Sequence, residues 1–381
     1  MRTLFFSSPL YGHIIPQIPL ARAFRDRGDT VAFVTAQEFA PLFAAERITL
    51  LPAGPTGEGV MEEMVCRTGV DPVEAGQTGS PETVVEMFAG VRVDLGFLDA
   101  LAHAREFEPD LIVAEALDFV GPMVADALGV PYATMPFGPA LPSPFAELFA
   151  AEVARACERR GLRCNLPDWY LDPCPPSLQC PDWQAPKGRI GLRPEAFRRD
   201  GAAGARAALA GERTGRARVL ATFGALFADT CYINSLLTGL LAQDFEIRLT
   251  LGLTAAEADF SGHYDRVEYF GFTPLDQLLD DVDVVLTVGG AGTVLGALSR
   301  GLPLVVTPQG ADQPINASRV AAAGAGITFP PGRADPGSVA EAVETVLTRP
   351  EYRQSAQRIA AEIRELPAAD EVADRLAAAL A

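Results

Sequence analysis

The stretch Val282–Ser299, which reads VDVVLTVGGAGTVLGALS, joins an apolar run, a glycine turn and a helix-forming segment in direct succession. The run Val282–Val288 is typical of a buried strand of a parallel sheet, since both faces of such a strand are covered. The glycines predict a tight turn, and Val294–Ser299 predicts the helix that follows it. This strand–turn–helix unit predicts an α/β domain that binds ligands at the carboxyl ends of its strands.

The glycine turn is a candidate anion site. Its backbone can approach a ligand closely, and the first N–H groups of the following helix have no acceptors within that helix. Thr293 adds a hydroxyl at the same place. The turn is neither a P-loop nor the dinucleotide-binding G-x-G-x-x-G pattern. Two interpretations therefore stay open, a diphosphate cradle or a strand–helix turn without a ligand.

The same alternation of strands and helices extends along the whole chain. Before the stretch 166–194, we predict strands at 2–7, 30–34, 111–114 and 132–135, with helices at 18–27 and 121–128. After it, we predict strands at 218–222, 245–251, 267–270, 282–288 and 304–307. Seven prolines predict that 166–194 is irregular, and glycines predict a loop-rich segment at 56–97.

The expected architecture is α/β, with two Rossmann-like doubly wound domains that face each other across a cleft. We place the first domain at 1–195 and the second at 196–365, and we expect the helix 366–381 to return to the first domain.

Composition limits the classes of function. The chain has 381 residues, and its net charge of −18 at pH 7 argues against nucleic-acid binding because it repels phosphate backbones. No apolar run reaches the roughly 20 residues of a membrane span, and the beginning lacks a signal peptide, so we expect a cytoplasmic protein. The six cysteines show no C-x-x-C pair, which predicts reduced thiols and no metal site.

Gly12 and His13 lie in the loop that follows the first predicted strand. A histidine at this end of a sheet is a candidate general base, although a lone histidine is more often structural. Glu115 follows the strand 111–114 of the same sheet and is the expected partner, with Asp118 as the alternative. A carboxylate on one ring nitrogen fixes the tautomer and stabilises the imidazolium.

The segment Pro308–Ala317, which reads PQGADQPINA, follows the last predicted strand of the second domain. Asp312 and Gln313 offer acceptors and a donor for vicinal hydroxyls, while the alternative is that Asp312 caps a helix. Asp281 and Asp283 have the D-x-D spacing of some metal sites, but they precede a strand and lie at the wrong end of the sheet.

Together, these motifs resemble family 1 glycosyltransferases of the GT-B fold, of the macrolide, glycopeptide and enediyne antibiotic type. The resemblance begins at Ser7–Pro16 and covers essentially the whole chain. Pro109–Glu115 is similar to the family's central strand and its acidic residue, which is Asp in most members. Phe272–Leu279 is similar to the loop that receives the nucleotide base, and Pro308–Ala317 matches the sugar-binding segment.

The resemblance implies inverting transfer of a deoxysugar from a nucleoside diphosphate, with TDP favoured, to a hydroxyl of a natural product. His13 would deprotonate this hydroxyl and Glu115 would orient the imidazole. The nucleotide sugar and the small-molecule acceptor are the expected partners, with no cofactor and no metal, and a homodimer stays open. The implied donor-binding residues are Gly224, Phe272, Thr273, Val288, Gly290, Ala291, Gly292, Thr293, Asp312 and Gln313.

The acceptor site is predicted at Gly12, Met61, Met87 and Phe137. Flexible thioethers suit a bulky apolar molecule, and ordinary core filling by the methionines is an equal alternative.

Two positions depart from the family pattern. The family has His where this chain has Val288, and Ser or Thr where Ala225 follows Gly224. Both changes fall on the leaving-group side, so a catalytically impaired binding or partner subunit is a second hypothesis. A UDP-sugar 2-epimerase is a third, but it needs more acid/base carboxylates than the sequence offers. A nicotinamide enzyme would need the missing glycine fingerprint.

Overall fold

The computed structural model describes residues 1–70, 80–199, 215–224, 229–252, 260 and 265–381. The chain forms two compact units. The first unit comprises Met1–Cys174, Cys180–Arg193 and Leu366–Ala381, and the second comprises Pro175–Gln179 and Pro194–Glu365.

The first unit contains a seven-stranded parallel sheet. Its strands are β1 (Arg2–Phe6), β2 (Thr30–Thr35), β3 (Thr49–Pro52), β4 (Leu111–Glu115), β5 (Tyr132–Met135), β6 (Trp169–Asp172) and β7 (Arg189–Gly191). Their order is β3-β2-β1-β4-β5-β6-β7. The order reverses between β1 and β4, which is the place where open α/β sheets bind ligands.

Helices cover both faces of this sheet. They are Tyr11–Ile14, Ile18–Asp26, Ala40–Glu46, Gly57–Thr68, Pro81–Val85, Arg92–Phe107, Val120–Leu128, Ser143–Arg160 and Ala369–Leu380, with 3-10 turns at Ile15–Gln17 and Gln37–Phe39. Phe5 and Val113 face one core cluster and Leu4 and Phe6 face another, because successive side chains of a strand point to opposite faces. The C-terminal helix packs in the first cluster against Ile18–Asp26.

Three predictions about local structure in this unit are wrong. The stretch 166–194 contains β6 and β7, because its prolines flank these strands instead of interrupting them. His13 does not lie in an open loop but in the short helix Tyr11–Ile14, since the carbonyl of Leu10 accepts from the N–H groups of His13 and Ile14.

The third wrong prediction is the loop-rich segment 56–97, whose described residues are mostly helical. Thr56 caps the helix Gly57–Thr68, and its hydroxyl accepts from the N–H of Gly59 at 3.1 Å. A π-helical turn, Glu86–Val91, leads directly into Arg92–Phe107. The described glycines of this segment thus lie at helix ends, such as Gly57 and Gly69, or inside helical segments, such as Gly90 and Gly96, while 71–79 lies outside the described residues.

The prediction of reduced thiols is also wrong for one pair. Cys157 and Cys164 form a disulfide with a Cα–Cα distance of 6.1 Å across the end of the helix Ser143–Arg160. The helix ends at Gly161 in the left-handed region, which turns the chain back so that the two thiols meet.

None of the helices in the described ranges combines the length and the apolar character that a membrane-spanning segment needs.

The second unit contains a six-stranded parallel sheet. Its strands are β8 (Ala217–Thr222), β9 (Phe245–Thr250), β10 (Val267–Phe270), β11 (Val284–Thr287), β12 (Leu304–Val306) and β13 (Gly326–Thr328), in the order β10-β9-β8-β11-β12-β13. The helices are Thr230–Leu241, Leu275–Leu278, Ala291–Ser299, Gln313–Ala322, Pro336–Thr348 and Pro350–Glu365, with a 3-10 turn at Pro176–Leu178. The order reverses between β8 and β11.

Candidate active site

His13 and Glu115 meet at the carboxyl ends of β1 and β4 in the first unit. Nδ1 of His13 lies 3.0 Å from Oε2 of Glu115. The Glu115 side chain is 1% exposed and that of His13 is 12% exposed. Two strands that flank the reversal of strand order therefore bring together an imidazole and a buried carboxylate, although the residues are far apart in sequence.

The second oxygen of Glu115 is held by its own turn. Oε1 accepts from the N–H of Leu117 at 2.7 Å, so the carboxylate has one oxygen on the backbone and one on His13. This arrangement suits a histidine that takes up a proton, because the carboxylate orients the ring and stabilises the imidazolium.

Asp118, the alternative partner of His13, has a different neighbour. Its Oδ2 pairs with the guanidinium of Arg92 at 3.0 Å, and its Oδ1 accepts from the N–H groups of Val120 and Gly121 at 3.0 and 3.2 Å. Asp118 thus accepts hydrogen bonds from the start of the helix Val120–Leu128 and forms a buried ion pair with Arg92.

Aromatic rings surround the imidazole of His13. The ring of Phe88 stacks on it with centroids 5.3 Å apart, and the ring of Phe137 is tilted against it at 4.6 Å. Phe137 was expected at the acceptor site, whereas Phe88 was not singled out from the sequence. No Cβ contact within 4 Å would arise at Gly12, so the helix leaves open space beside the histidine.

The two predicted methionines lie beside the same aromatic side chain. Met61 and Met87 line a small cavity of about 20 Å³ with Phe88 and with Leu10 and Val60. Its walls are largely apolar, and its volume is that of about one water molecule. The structure therefore brings Met61, Met87, Phe88 and His13 into one region of the first unit.

In the second unit, the glycine turn has two kinds of glycine. Gly289 has φ of +97°, and a Cβ there would lie 2.7 Å from Cγ1 of Val306, so the fold itself requires glycine. At Gly290 and Gly292 a Cβ would meet nothing within 4 Å. The helix begins at Ala291, and Thr293 lies in its first turn. The backbone at Gly290 and Gly292 thus borders open space, while the N–H groups of Ala291 and Thr293 donate to Oδ2 of Asp312 and to the carbonyl of Gly290.

The side chain of Val288 belongs to the core. It is 3% exposed and packs in the cluster of the second unit, and its Cγ2 lies 3.9 Å from the place of a Cβ on Gly224. Gly224 follows β8 with φ of +73°, and Ala225 lies outside the described residues. Phe272 and Thr273 follow β10, with Phe272 38% exposed.

Asp312 lies next to the glycine turn instead of capping its own helix. Its Oδ2 accepts from the N–H of Ala291 at 3.3 Å and from Nδ2 of Asn316 at 2.7 Å, and it forms no side-chain cap on the helix Gln313–Ala322. Asn316 also donates to the carbonyl of Gly289 at 2.8 Å. Oε1 of Gln313 accepts from the N–H groups of Gln309 and Gly310.

Sequence reasoning missed two buried polar side chains, Arg92 and Asn316. Asn316 follows Asp312 by four residues, which is one helical turn, so its proximity was open to inference. Arg92 lies between Val91 and Val93 and belongs to no recognisable motif, so only its partners in the structure reveal its position. Among the described residues, no group of three His, Cys, Asp or Glu is arranged to hold a metal ion.

Comparison with known proteins identifies the family to which the chain belongs. The N-terminal domain model of erythromycin biosynthesis protein CIII-like proteins matches residues 22–187, and the corresponding C-terminal domain model matches residues 234–379. The elloramycin glycosyltransferase ElmGT of Streptomyces olivaceus is 30% identical, with 99% of this chain and 97% of that protein covered. The L-demethylnoviosyl transferase of Streptomyces niveus is 29% identical, with coverage of 99% and 98%.

A solved structure extends this similarity to the fold. The Streptomyces sp. SF2575 glycosyltransferase SsfS6, complexed with thymidine diphosphate, superposes with a TM-score of 0.82 at 26% identity and covers 99% of each chain. The chain therefore belongs to the erythromycin biosynthesis protein CIII-like family, the GT-B glycosyltransferases of antibiotic biosynthesis.

Proposed function

We propose that this chain transfers a deoxysugar, with inversion at the anomeric carbon, from a TDP-sugar to a hydroxyl of a natural-product acceptor. The observation that carries the proposal is the 3.0 Å contact between Nδ1 of His13 and Oε2 of the buried Glu115. Such a pair leaves the second ring nitrogen, Nε2, to accept a proton from the acceptor hydroxyl.

The chemical step makes one bond and breaks one. The acceptor oxygen attacks the anomeric carbon as its proton passes to Nε2 of His13, and the bond between that carbon and the diphosphate oxygen breaks. Glu115 stabilises the resulting imidazolium. Attack from the face opposite the leaving group inverts the configuration, and TDP leaves with both electrons of the broken bond.

The second unit supplies the groups proposed for the donor. The N–H groups at Gly290–Thr293 and the helix dipole would stabilise the diphosphate, for which Gly290 and Gly292 leave room. Because these groups supply positive potential, we propose that the reaction needs no metal ion and no cofactor beyond the nucleotide sugar.

The remaining donor contacts are proposed for the base and the sugar. Phe272 is exposed enough to stack on the base, with Thr273 beside it. Asp312 and Gln313 would bind sugar hydroxyls. The TDP complex of SsfS6 supports TDP as the nucleotide, and the acceptor would lie against Gly12, Met61, Met87 and Phe137.

Measurements of TDP binding, of the product and of a His13 variant test this function. Calorimetry with TDP and UDP should show a preference for TDP, and incubation with TDP-L-rhamnose and a panel of polyketide aglycones should add one sugar by mass spectrometry. Anomeric coupling in the NMR spectrum of the product reports inversion. His13→Ala should abolish transfer and leave the affinity for TDP unchanged, because its partner Glu115 lies in the first unit. Equal loss of transfer and TDP binding would contradict the assigned role of His13.

One observation favours a second candidate, a binding or partner subunit that does not turn over. Val288 is packed in the core and offers no donor to a diphosphate, while the Asp312 carboxylate accepts from the first N–H of the helix. The same calorimetry separates the two candidates. Absence of TDP binding, together with absence of product, would favour the partner subunit over the transferase.

A further inference from the structure

Arg92 is a buried cation at the edge of the candidate site. Its side chain is 1% exposed, and its guanidinium contacts three segments that follow strands of the first unit. Nη1 donates to the carbonyl of Ala53 at 2.9 Å, after β3, and Nη2 donates to the carbonyl of Ser7 at 3.4 Å, after β1. Nε and Nη2 both donate to Oδ2 of Asp118, at 3.2 and 3.0 Å, after β4.

The contact with Asp118 holds the turn that carries Glu115. The N–H of Asp118 donates to the carbonyl of Glu115 at 2.9 Å, and the N–H of Leu117 donates to Oε1 of the Glu115 carboxylate. The hydroxyl of Ser8 donates to the carbonyl of Leu117 at 3.4 Å. The chain of contacts thus runs from Arg92 through Asp118 and Leu117 to the carboxylate that faces His13.

Two glycines, which have no side chain, leave the space that this guanidinium occupies. A Cβ at Gly54, where φ is +78°, would lie 2.8 Å from Nη1 of Arg92, and a Cβ at Gly96 would clash with the same atom. Arg92 begins the helix Arg92–Phe107 directly after the π-helical turn Glu86–Val91, which also carries Phe88. π-Helical turns occur frequently at functional sites.

The charge of Arg92 matters because two carboxylates lie close together and are both buried, with the side chains of Glu115 and Asp118 1% and 0% exposed. Burial raises the pKa of the Asp118 carboxyl, the nearby Arg92 guanidinium opposes this rise, and the neighbouring Glu115 adds to it. Removal of the guanidinium would leave Asp118 and Glu115 as two adjacent buried acids, which cannot both stay ionised easily.

We infer that Arg92 is a positioning residue for the transfer reaction, which holds the Glu115–Asp118 turn so that the Glu115 carboxylate stays on Nδ1 of His13. This inference rests on the proposed function. Arg92 does not act on the substrate in this scheme, and its effect on the reaction passes through Glu115.

The test is a double-mutant cycle with a matched control. Arg92→Lys should lower kcat about 10²-fold, because small displacements of a catalytic group have effects of this size, with KM for the TDP-sugar unchanged. In a Glu115→Gln background, Arg92→Lys should cause no further loss. The control is Arg22→Lys, since Arg22 and Glu46 form another buried ion pair in the same unit, with side chains 7% and 1% exposed. Arg22→Lys should leave kcat unchanged.

A second readout does not depend on turnover. The chain has three histidines, so ¹⁵N-histidine NMR can follow the ring nitrogens of His13, assigned by their loss in His13→Ala. Arg92→Lys and Glu115→Gln should shift these signals in the same direction, and Arg22→Lys should not. If Arg92→Lys fails to fold, Asp118→Asn removes the same link and should give the same shift.

The outcomes separate this inference from the proposed function. Unchanged His13 signals in Arg92→Lys and Asp118→Asn, with shifted signals in Glu115→Gln, would overturn the role of Arg92. Additive losses of kcat in the double mutant would do the same. A wild-type protein that transfers no sugar but shows the expected NMR shifts would refute the transferase and leave the positioning role in place.

Discussion

Glu115 combines burial with two directed contacts, and one of these contacts is with an imidazole. One oxygen accepts from the backbone of Leu117, and the other lies on the ring nitrogen of His13. A buried carboxylate without partners would be costly, so its position depends on both contacts. The imidazole of His13 is oriented by this side chain together with the rings of Phe88 and Phe137.

Replacement of Glu115 tests that dependence at the residue scale. We expect Glu115→Gln to lower kcat by about 10²- to 10⁴-fold, because the amide keeps the shape but no longer stabilises the imidazolium. The measurement is single-turnover transfer from a TDP-sugar at saturating acceptor. As a control, Glu46→Gln alters a buried carboxylate of the Arg22 pair and should leave kcat unchanged. A kcat of Glu115→Gln close to that of the wild type would show that the carboxylate has no role in the step.

The glycine turn after β11 illustrates what an element can do that its residues cannot do alone. Gly289 serves the fold, since its φ is positive and Val306 occupies the space of a Cβ. Gly290 and Gly292 border open space at the start of the helix Ala291–Ser299. One short turn therefore contains one position that the fold restricts to glycine and two positions that are proposed to contact the ligand.

Alanine substitutions should separate these two roles. We expect Gly290→Ala to leave the melting temperature nearly unchanged and to weaken TDP binding at least about tenfold, because the methyl group would occupy the proposed phosphate site. Gly289→Ala is the matched variant and should reduce the free energy of unfolding by about 1–3 kcal/mol through backbone strain and contact with Val306. Calorimetric titration and thermal melts check both. Unchanged TDP affinity in Gly290→Ala would place the diphosphate elsewhere.

The disulfide at the end of the helix Ser143–Arg160 is a second feature at the scale of the element. Cys157 and Cys164 close a short loop, with a sequence separation of 7. The helix contributes Phe149 to the cluster that contains Phe88, and Phe88 stacks on His13. Packing therefore connects the helix that carries Cys157 with the aromatic rings around His13.

Reduction of this bond should lower stability without unfolding the chain. From the loop-entropy relation for a short loop, we expect dithiothreitol to reduce the free energy of unfolding by about 2 kcal/mol. Urea titrations with and without the reductant measure the difference. The variant Cys157→Ala/Cys164→Ala should show no response to the reductant, which separates this bond from any effect of the reductant on Cys66, Cys174, Cys180 and Cys231. Identical urea midpoints for the wild type in both conditions would contradict the bond's contribution.

At the scale of the whole molecule, two parallel sheets carry two different kinds of chemistry. The first unit holds an imidazole, a carboxylate and an apolar region with aromatic rings, while the second holds a helix start beside a glycine turn. Each unit has its own core cluster and its own reversal of strand order. The net charge of −18 repels anions from the protein as a whole. Binding of a diphosphate at the glycine turn therefore depends on local N–H groups that outweigh this repulsion.

Hydrogen exchange should show that TDP binds to the second unit and not around the His13–Glu115 pair. At a TDP concentration of 100 times Kd, linkage stabilises the binding-competent state by about 2.7 kcal/mol. We expect added protection in peptides that cover the glycine turn and the segment Asp312–Asn316 of the second unit, and much less in peptides around Glu115. His13→Ala should give the same pattern as the wild type. Protection centred on β1 and β4 would contradict the assignment of the donor to the second unit.

The amino-acid sequence by itself determined the strands and helices that depend only on residues close to them in the chain. Apolar runs predicted most strands within one or two residues, whereas the helix predicted at Val294–Ser299 begins three residues earlier, at Ala291, within the glycine turn. Proline counts were less informative over 166–194, because a proline beside a strand and a proline within it differ by a single position. Helices over 57–68 and 81–107 were missed, since glycines at the ends of these helices and inside them were interpreted as signs of loops.

Only the tertiary structure decided which side chains meet. His13 lies on Glu115 while Asp118 lies on Arg92, although both carboxylates follow the same strand. Asp312 accepts from the start of another helix instead of capping its own. Such choices depend on contacts between residues far apart in the chain, and the free energy of burying a charge with the right partner decides them. The sequence pattern predicted Glu115 as the expected partner of His13, but it carried no information about Arg92 as the partner of Asp118.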